Sequence, residues 1–299
     1  MFLRIKLTLS AIVLLLLSGC VENKNTLESE TSAIKQLAYE INYQLVQESK
    51  RLKSLVDEGV NDKGEDYSVN ELFSYFNING DLNYPSNWDA VPQKLGRENL
   101  RNTYEKSKLT SSLMVVSPQK GVLIYPKLNR VFQKIEKGCI AHILNEANNS
   151  KETPSGNWVT TPYWSPVESG WLMSCIVPSN DMYLQLNIPV QTIKEKYLDK
   201  QSGYYFIMDS EGRLISLREN TETIIAVDTE TQKMIKNSFE FPESRNIYRS
   251  KNQGFKEACR KILTDGEKKV RFNWNGSDYM LLNAEISELK WQLVQVIKL

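Results

Sequence analysis

One histidine, His142, occurs in 299 residues, and its isolation removes several chemistries at once. Zinc centres commonly draw on more than one imidazole, and only a convergence of Cys139, His142 and Cys175 offers soft ligands here, so no metal is expected. A single histidine on an apolar helical run reads first as a structural residue. The chain also lacks a Gly-x-Ser-x-Gly elbow, a His-Glu-x-x-His pair and a phosphate-binding glycine loop. Ser-x-x-Lys matches at 32–35 and 117–120 fall in a helical pattern and in a hairpin turn. The chain therefore reads as a non-enzyme with no cofactor. Neither sign of charge dominates: 37 basic and 36 acidic residues give a net charge of +1, which leaves no electrostatic footprint for nucleic acid or for an anionic lipid surface. After residue 20, no apolar run approaches the roughly 20 residues that a membrane-spanning helix needs.

The first twenty residues differ from the rest. Arg4 and Lys6 precede a mostly apolar run over 7–17, which closes on Leu17-Ser18-Gly19-Cys20. This layout is that of a secretory signal. The ending resembles the lipobox of bacterial lipoproteins, which implies cleavage before Cys20 and lipidation of its thiol; an ordinary cleavable signal is the alternative. The expected organisation begins with a signal peptide over 1–19 and a lipidated cysteine with a tether over 20–30. That places the body in the periplasm, held to a membrane through Cys20. By resemblance to enteric lipoproteins, Val21 in place of Asp points to the outer membrane. Cys139, Cys175 and Cys259 remain, an odd number outside the cytoplasm. Either Cys139 pairs with Cys175, both falling in one unit, or all three are buried thiols.

A helical pattern follows the tether, with Ile34, Leu37, Ala38, Ile41, Leu45, Leu52, Leu55 and Val56 on one stripe. Asn25 and Glu28 suit a capping box and Gly59 a stop. The spine helix over 31–60 would be roughly 45 Å long. Shorter helical patterns appear over 69–76 and 97–106. Asn77, Asn79 and Asp81 faintly resemble a calcium loop without its remaining ligands. Strands are expected at 112–117 and 122–126 around Pro118 and Gly121, then a helix over 128–144, then three strands in "NWVTT", "GWLMSCIVP" and "MYLQLNIP". A short helix over 190–198 leads out. The order then recurs: a hairpin from "YYFIMDS" and "RLISL", helices near 232–239 and 255–263, and a meander from "KKVRFNW", "SDYMLLNAEI" and "KWQLVQVI" turning at Asn275-Gly276. Two units of hairpin, helix and three-stranded meander imply an α+β fold with internal duplication.

The long helix, the tandem PAS-like sheets, the "TPYW…GW…VP" stretch and the "DSEGRLI" hairpin resemble the extracytoplasmic double Cache sensor domain of bacterial chemoreceptors, histidine kinases and diguanylate cyclases. The resemblance implies a membrane-distal Cache unit over 61–190, a membrane-proximal one over 191–299, and a small-molecule ligand in the distal unit. It also implies a membrane signalling protein as partner, because the chain ends at Leu299 with no transmitter. A scaffold lipoprotein without a pocket and a solute-capturing lipoprotein for a transporter are the alternatives.

Members that bind amino acids resemble one another in a Tyr, an Arg five residues on, then Trp and Tyr, with a later Asp for the ammonium. In this chain Tyr125 and Arg130 keep the first spacing, Phe132 and Gln133 stand at the next two positions, and Asn187 stands near the Asp. The arginine suits a carboxylate; the missing acid argues against a standard amino acid. Tyr163 and Trp164 fall where the family places pocket-rim residues, with Trp158 a weaker candidate. Strand periodicity puts Trp171, Met173 and Cys175 on one face, read either as the ligand side or as plain core.

Overall fold

The computed structural model describes residues 2–59, 72–82, 97–128, 137–165, 167–179, 182–226 and 241–299. Helix α1 (Phe2–Gly59) is continuous over 58 residues. The expected tether over 20–30 and the start capped by Asn25 are thus not seen. No glycine or proline interrupts 20–58, and a capping residue marks a start only where the residues before it are non-helical. Ile34, Leu37, Ala38, Ile41, Leu45, Leu52 and Leu55 form the buried stripe of this spine. Among the described residues no helix is long and apolar enough to cross a membrane.

The described strands form two antiparallel sheets. The first contains β1 (Ser74–Asn77), β2 (Ser112–Ser117), β3 (Gly121–Tyr125), β4 (Lys151–Glu152), β5 (Asn157–Ser165), β6 (Gly170–Ser179) and β7 (Met182–Pro189), in the order β1-β3-β2-β7-β6-β5-β4. Helix α2 (Arg97–Lys106) follows β1, and α3 (Lys137–Asn148) lies between β3 and β4. The chain leaves through α4 (Val190–Ile193), which runs on as a π-helical turn, Lys194–Leu198. The second sheet contains β8 (Tyr204–Met208), β9 (Leu214–Leu217), β10 (Lys269–Trp274), β11 (Ser277–Ile286) and β12 (Trp291–Lys298), in the order β10-β11-β12-β8-β9. Helices α5 (Glu222–Ile225) and α6 (Gln253–Asp265) precede its meander.

The duplication is topological. In each unit the last meander strand returns beside the first hairpin strand, β7 on β2 and β12 on β8. Each unit also places a helix of more than ten residues, α3 or α6, between hairpin and meander. Local chemistry fixes these elements. Asn252 accepts from Phe255 N at 2.9 Å to cap α6, and Gly266 ends it in the left-handed conformation. Asn275 and Gly276, at φ 49° and 75°, make the tight β10–β11 turn. At Gly121 a Cβ would stand 2.1 Å from the carbonyl oxygen of Phe76, so β1 pairs with β3 only because that residue has no side chain.

One expected helix is a strand instead: Ser74–Asn77 pairs with β3. Tyr75 is buried on the spine side and Phe76 on the other, a period of two that a four-residue strand buried on both faces disguises as an apolar run. Residues 69–71 of the helix expected over 69–76, residues 129–136 of that expected over 128–144, and the whole of that expected over 232–239 lie outside the described residues.

Three cores follow from this layering. The largest lies between α1 and the near faces of both sheets. A second lies between the far face of the first sheet and α3, and a third between the far face of the second sheet and α6. The units are also joined by a buried polar contact. Glu288, in the β11–β12 turn and 2% exposed, accepts from Trp158 Nε1 at 2.9 Å, from Ser155 N at 3.3 Å, and from the hydroxyls of Thr153 and Ser155. Its own N–H donates to Asn42 Oδ1 of the spine at 2.7 Å, and Ser49 of the spine donates to Ser155 O at 2.8 Å.

Candidate functional site

The far face of the first sheet, under α3, carries a polar cluster in an otherwise apolar core. Four strands build it: Ser112 on β2, Tyr163 on β5, Ser174 on β6, and Gln185 and Asn187 on β7, each at most 3% exposed. Met114, Val116, Leu172 and Ile176 surround it from the sheet, and Ile140 and Ile143 cover it from α3. Tyr163 Oη lies 2.8 Å from Ser174 Oγ, which donates to Asn187 Oδ1 at 2.8 Å. Gln185 Nε2 is within 2.6 Å of Tyr163 Oη, 2.8 Å of Asn187 Oδ1 and 3.0 Å of Ser174 Oγ. An amide nitrogen has two protons for these three acceptors. The other end of the same amide, Gln185 Oε1, is buried and receives no donor.

Glu168, from the β5–β6 turn, closes the cluster at its edge. Its carboxylate accepts from Ser112 Oγ at 2.6 Å, from Asn187 Nδ2 at 3.3 Å, and from Ser111 Oγ. Burial pushes its pKa up, and these three hydrogen bonds pull it partly back. No cation faces it among the described residues. From α3, the His142 ring packs edge-on against Tyr163 with centroids 5.5 Å apart, and its Nδ1 lies 3.8 Å from Glu146. The arrangement offers hydroxyl and amide groups and one carboxylate. It is suited to holding a polar ligand. Among the described residues no group of three His, Cys, Asp or Glu side chains is placed to hold a metal. Asn77 Oδ1, in the segment that resembled a calcium loop, accepts from the backbone N–H groups of Asn79 and Asp81 as an Asx turn.

Of the residues expected at the site, Tyr163 and Asn187 meet in this cluster. Tyr125 does not join them: it faces the spine side, its ring 5.6 Å from Phe73 and 5.7 Å from Tyr104. Trp164 packs edge-on against Trp171 at 5.4 Å, and Trp171 against Phe241 at 5.2 Å. The face of β6 carrying Trp171, Met173 and Cys175 thus packs into the spine-side core, and the ligand-side reading of that face is corrected. Periodicity shows which residues share a face but not which layer covers it. Cys175 is a free buried thiol bonded to Ser49 of the spine, with its pKa pushed up to about 12 by burial. Its pairing with Cys139 is therefore not formed: α3, which carries Cys139, packs on the opposite face of the sheet. Trp158 is core, held by Glu288. Arg130 and Phe132 lie outside the described residues.

Glu168, Gln185, Ser174, Ser112 and His142 were not expected at the site. One signal for them was present: Gln185 and Asn187 are polar residues two apart on an apolar strand, hence on one face.

No protein-family model and no curated protein matches the sequence. Solved structures do. The chain is similar to the extracellular domain of soHK1S-Z6, assigned as a histidine kinase, at 16% identity and a TM-score of 0.54, covering 92% of this chain and 95% of that one. It is similar to the ligand-binding domain of the Campylobacter jejuni chemoreceptor Tlp3 in complex with L-valine, at 10% identity and a TM-score of 0.52, covering 91% and 93%. It is also similar to the ligand-binding domain of the Pseudomonas fluorescens chemoreceptor CtaA in complex with L-alanine, at 11% identity and a TM-score of 0.52, covering 91% and 96%. The fold of this chain is thus the double Cache, PAS-like fold of extracellular sensory domains.

Proposed function

We propose that this protein is a periplasmic sensor that binds a small molecule bearing a protonated amine under α3 of the first unit. The observation that carries the reading is two groups at one site: Gln185 Oε1, buried without a donor, and the Glu168 carboxylate, which accepts three hydrogen bonds but faces no cation among the described residues. An unpaired buried acceptor costs about 1–3 kcal/mol, and a buried charge more, unless a ligand supplies the partner. An ammonium supplies both a charge and up to three donors. The amino acids named in the Tlp3 and CtaA complexes belong to this chemical class. Asn187 stands where the resemblance expected an acid, and Glu168 brings a carboxylate to it from the turn.

The sequence supports an anchor through Cys20, with the outer membrane as its site. Occupancy would pass through the spine by contact to a membrane signalling protein such as a sensor kinase, a chemoreceptor or a cyclic-dinucleotide enzyme. A ligand shifts such an equilibrium only by its differential affinity for the two states. A thermal-shift screen of the purified chain against amino acids, polyamines, organic acids and purines tests the reading. A ligand at a hundred times its dissociation constant stabilises the fold by about 2.7 kcal/mol. The expected hit is an amine whose effect is lost in Glu168→Gln. Hits confined to compounds without an amine, or an amine response that survives Glu168→Gln, would refute it.

A further inference from the structure

A second site is indicated on the other side of the molecule, where α2 packs against the spine. An open groove of about 320 Å3 runs between them. Gln47, Lys50, Arg51 and Ser54 of the spine form one wall; Asn99, Asn102, Thr103 and Lys106 of α2 form the other, with Leu55 also lining it. Every charged residue in this lining is a cation, in a protein whose net charge is only +1. Asn102 donates to Glu98 at 3.3 Å, which ties this acid of α2 to the groove wall.

The lysines and the arginine are held differently. Lys50 and Lys106 are exposed, and neither forms an ion pair among the described residues. Arg51 sits over a buried acid: its Nη1 lies 3.0 Å from Glu48, a carboxylate that is 0% exposed and accepts from Lys108 N at 3.1 Å, an ion pair without hydrogen-bond geometry. The attraction of this buried carboxylate keeps the partly exposed guanidinium at the groove wall and offsets part of its charge. Three cations and five amide or hydroxyl side chains around one concave space are matched by oxygen acceptors bearing negative charge.

We propose that this groove binds a small ligand carrying carboxylate or phosphate oxygens, with Lys50 and Lys106 as exposed flanking charges and Arg51 as a cation held at the wall by Glu48. The site lies on the spine, so its occupancy bears on the same helix that both sheets pack against. It is independent of the amine site under α3.

Isothermal titration of the full chain with citrate, inorganic phosphate and chloride at matched ionic strength tests the proposal. The expected result is saturable binding of citrate, phosphate or both, and none of chloride. Citrate alone assigns the groove to carboxylates, phosphate alone to phosphate groups. Lys50→Gln with Lys106→Gln, two exposed positions that leave Glu48 and the core intact, is expected to weaken binding roughly tenfold. Glu168→Gln is expected to leave it unchanged, so that failure of the amine site and failure of the groove are told apart. Absence of saturable oxyanion binding, an equal response to chloride, or full affinity in the double lysine variant would overturn the proposal.

Discussion

Replacing Glu288 by alanine should loosen the joint between the two units. The carboxylate serves Trp158 Nε1, Ser155 N and two hydroxyls, and Trp158 and Ser155 are 0% and 8% exposed. Removing it strands the indole and backbone N–H groups, at about 1–3 kcal/mol for each buried donor left unmade. Relief of the carboxylate's own burial and entry of water into the vacated space offset part of this. A net loss of about 3 kcal/mol is expected, within the range for breaking a buried charged network. Glu288→Gln keeps an acceptor oxygen and exchanges charge-assisted bonds for neutral ones, so about 1 kcal/mol should suffice. Urea denaturation of wild type, Glu288→Ala, Trp158→Phe and the double variant measures the interaction. Trp158→Phe removes the indole donor, so the cycle should show a coupling of at least about 1 kcal/mol. Additivity within about 0.3 kcal/mol would show that the carboxylate does not hold the indole, and the reasoning about the joint would fail.

Further outcomes follow from burial and charge. Leu45→Ala, at a spine position with 0% exposure, should cost about 2–5 kcal/mol in the same urea assay, whereas Tyr39→Ala, 63% exposed on the same helix, should cost under about 0.5 kcal/mol. The pKa of Glu168 is raised in the folded state, so its contribution to stability is present below the ordinary value of 4.5 and is lost as pH rises through the folded value. Without ligand, the stability difference between Glu168→Gln and wild type should therefore grow from pH 4 to pH 7 in favour of the variant; a constant difference would contradict the assignment. With its thiol pKa near 12, Cys175 should resist alkylation at pH 8 until the chain unfolds, and peptide mapping should find no Cys139–Cys175 disulfide.

Element order was largely legible because its signals are local. The meander "KKVRFNW", "SDYMLLNAEI" and "KWQLVQVI" carries alternation and an Asn-Gly turn, and all three strands stand where the pattern puts them. Ser74–Asn77 failed because a short strand buried on both faces has no alternation to show. The helix start at Asn25 failed because that residue has the chemistry of a cap, whereas its neighbours continue the helix.

The candidate cluster was half legible: Tyr163 and Asn187, expected from the family's rim and from the position of its Asp, both fall in it. The face carrying Trp171 and Cys175 stayed open between ligand side and plain core, because residue types on β6 do not say which layer covers them. The faces are decided over long range: the spine, about 120 residues earlier in the chain, takes the side of Cys175, which leaves Ser174 and Leu172 to α3. Glu168 was hidden because it comes from a turn and meets Asn187 only when β5, β6 and β7 are in register.

The central claim is that an amine binds under α3, and His142 provides a direct probe of it. It is the single histidine in the sequence, so an untagged chain gives one imidazole signal, and its ring packs on Tyr163 in the candidate site. Titrating the stabilising amine while following that signal by NMR should produce a saturable shift, with the same midpoint as the thermal stabilisation. An amine that stabilises the protein while the His142 signal stays still would contradict the account, because the ligand would then occupy some other part of the molecule.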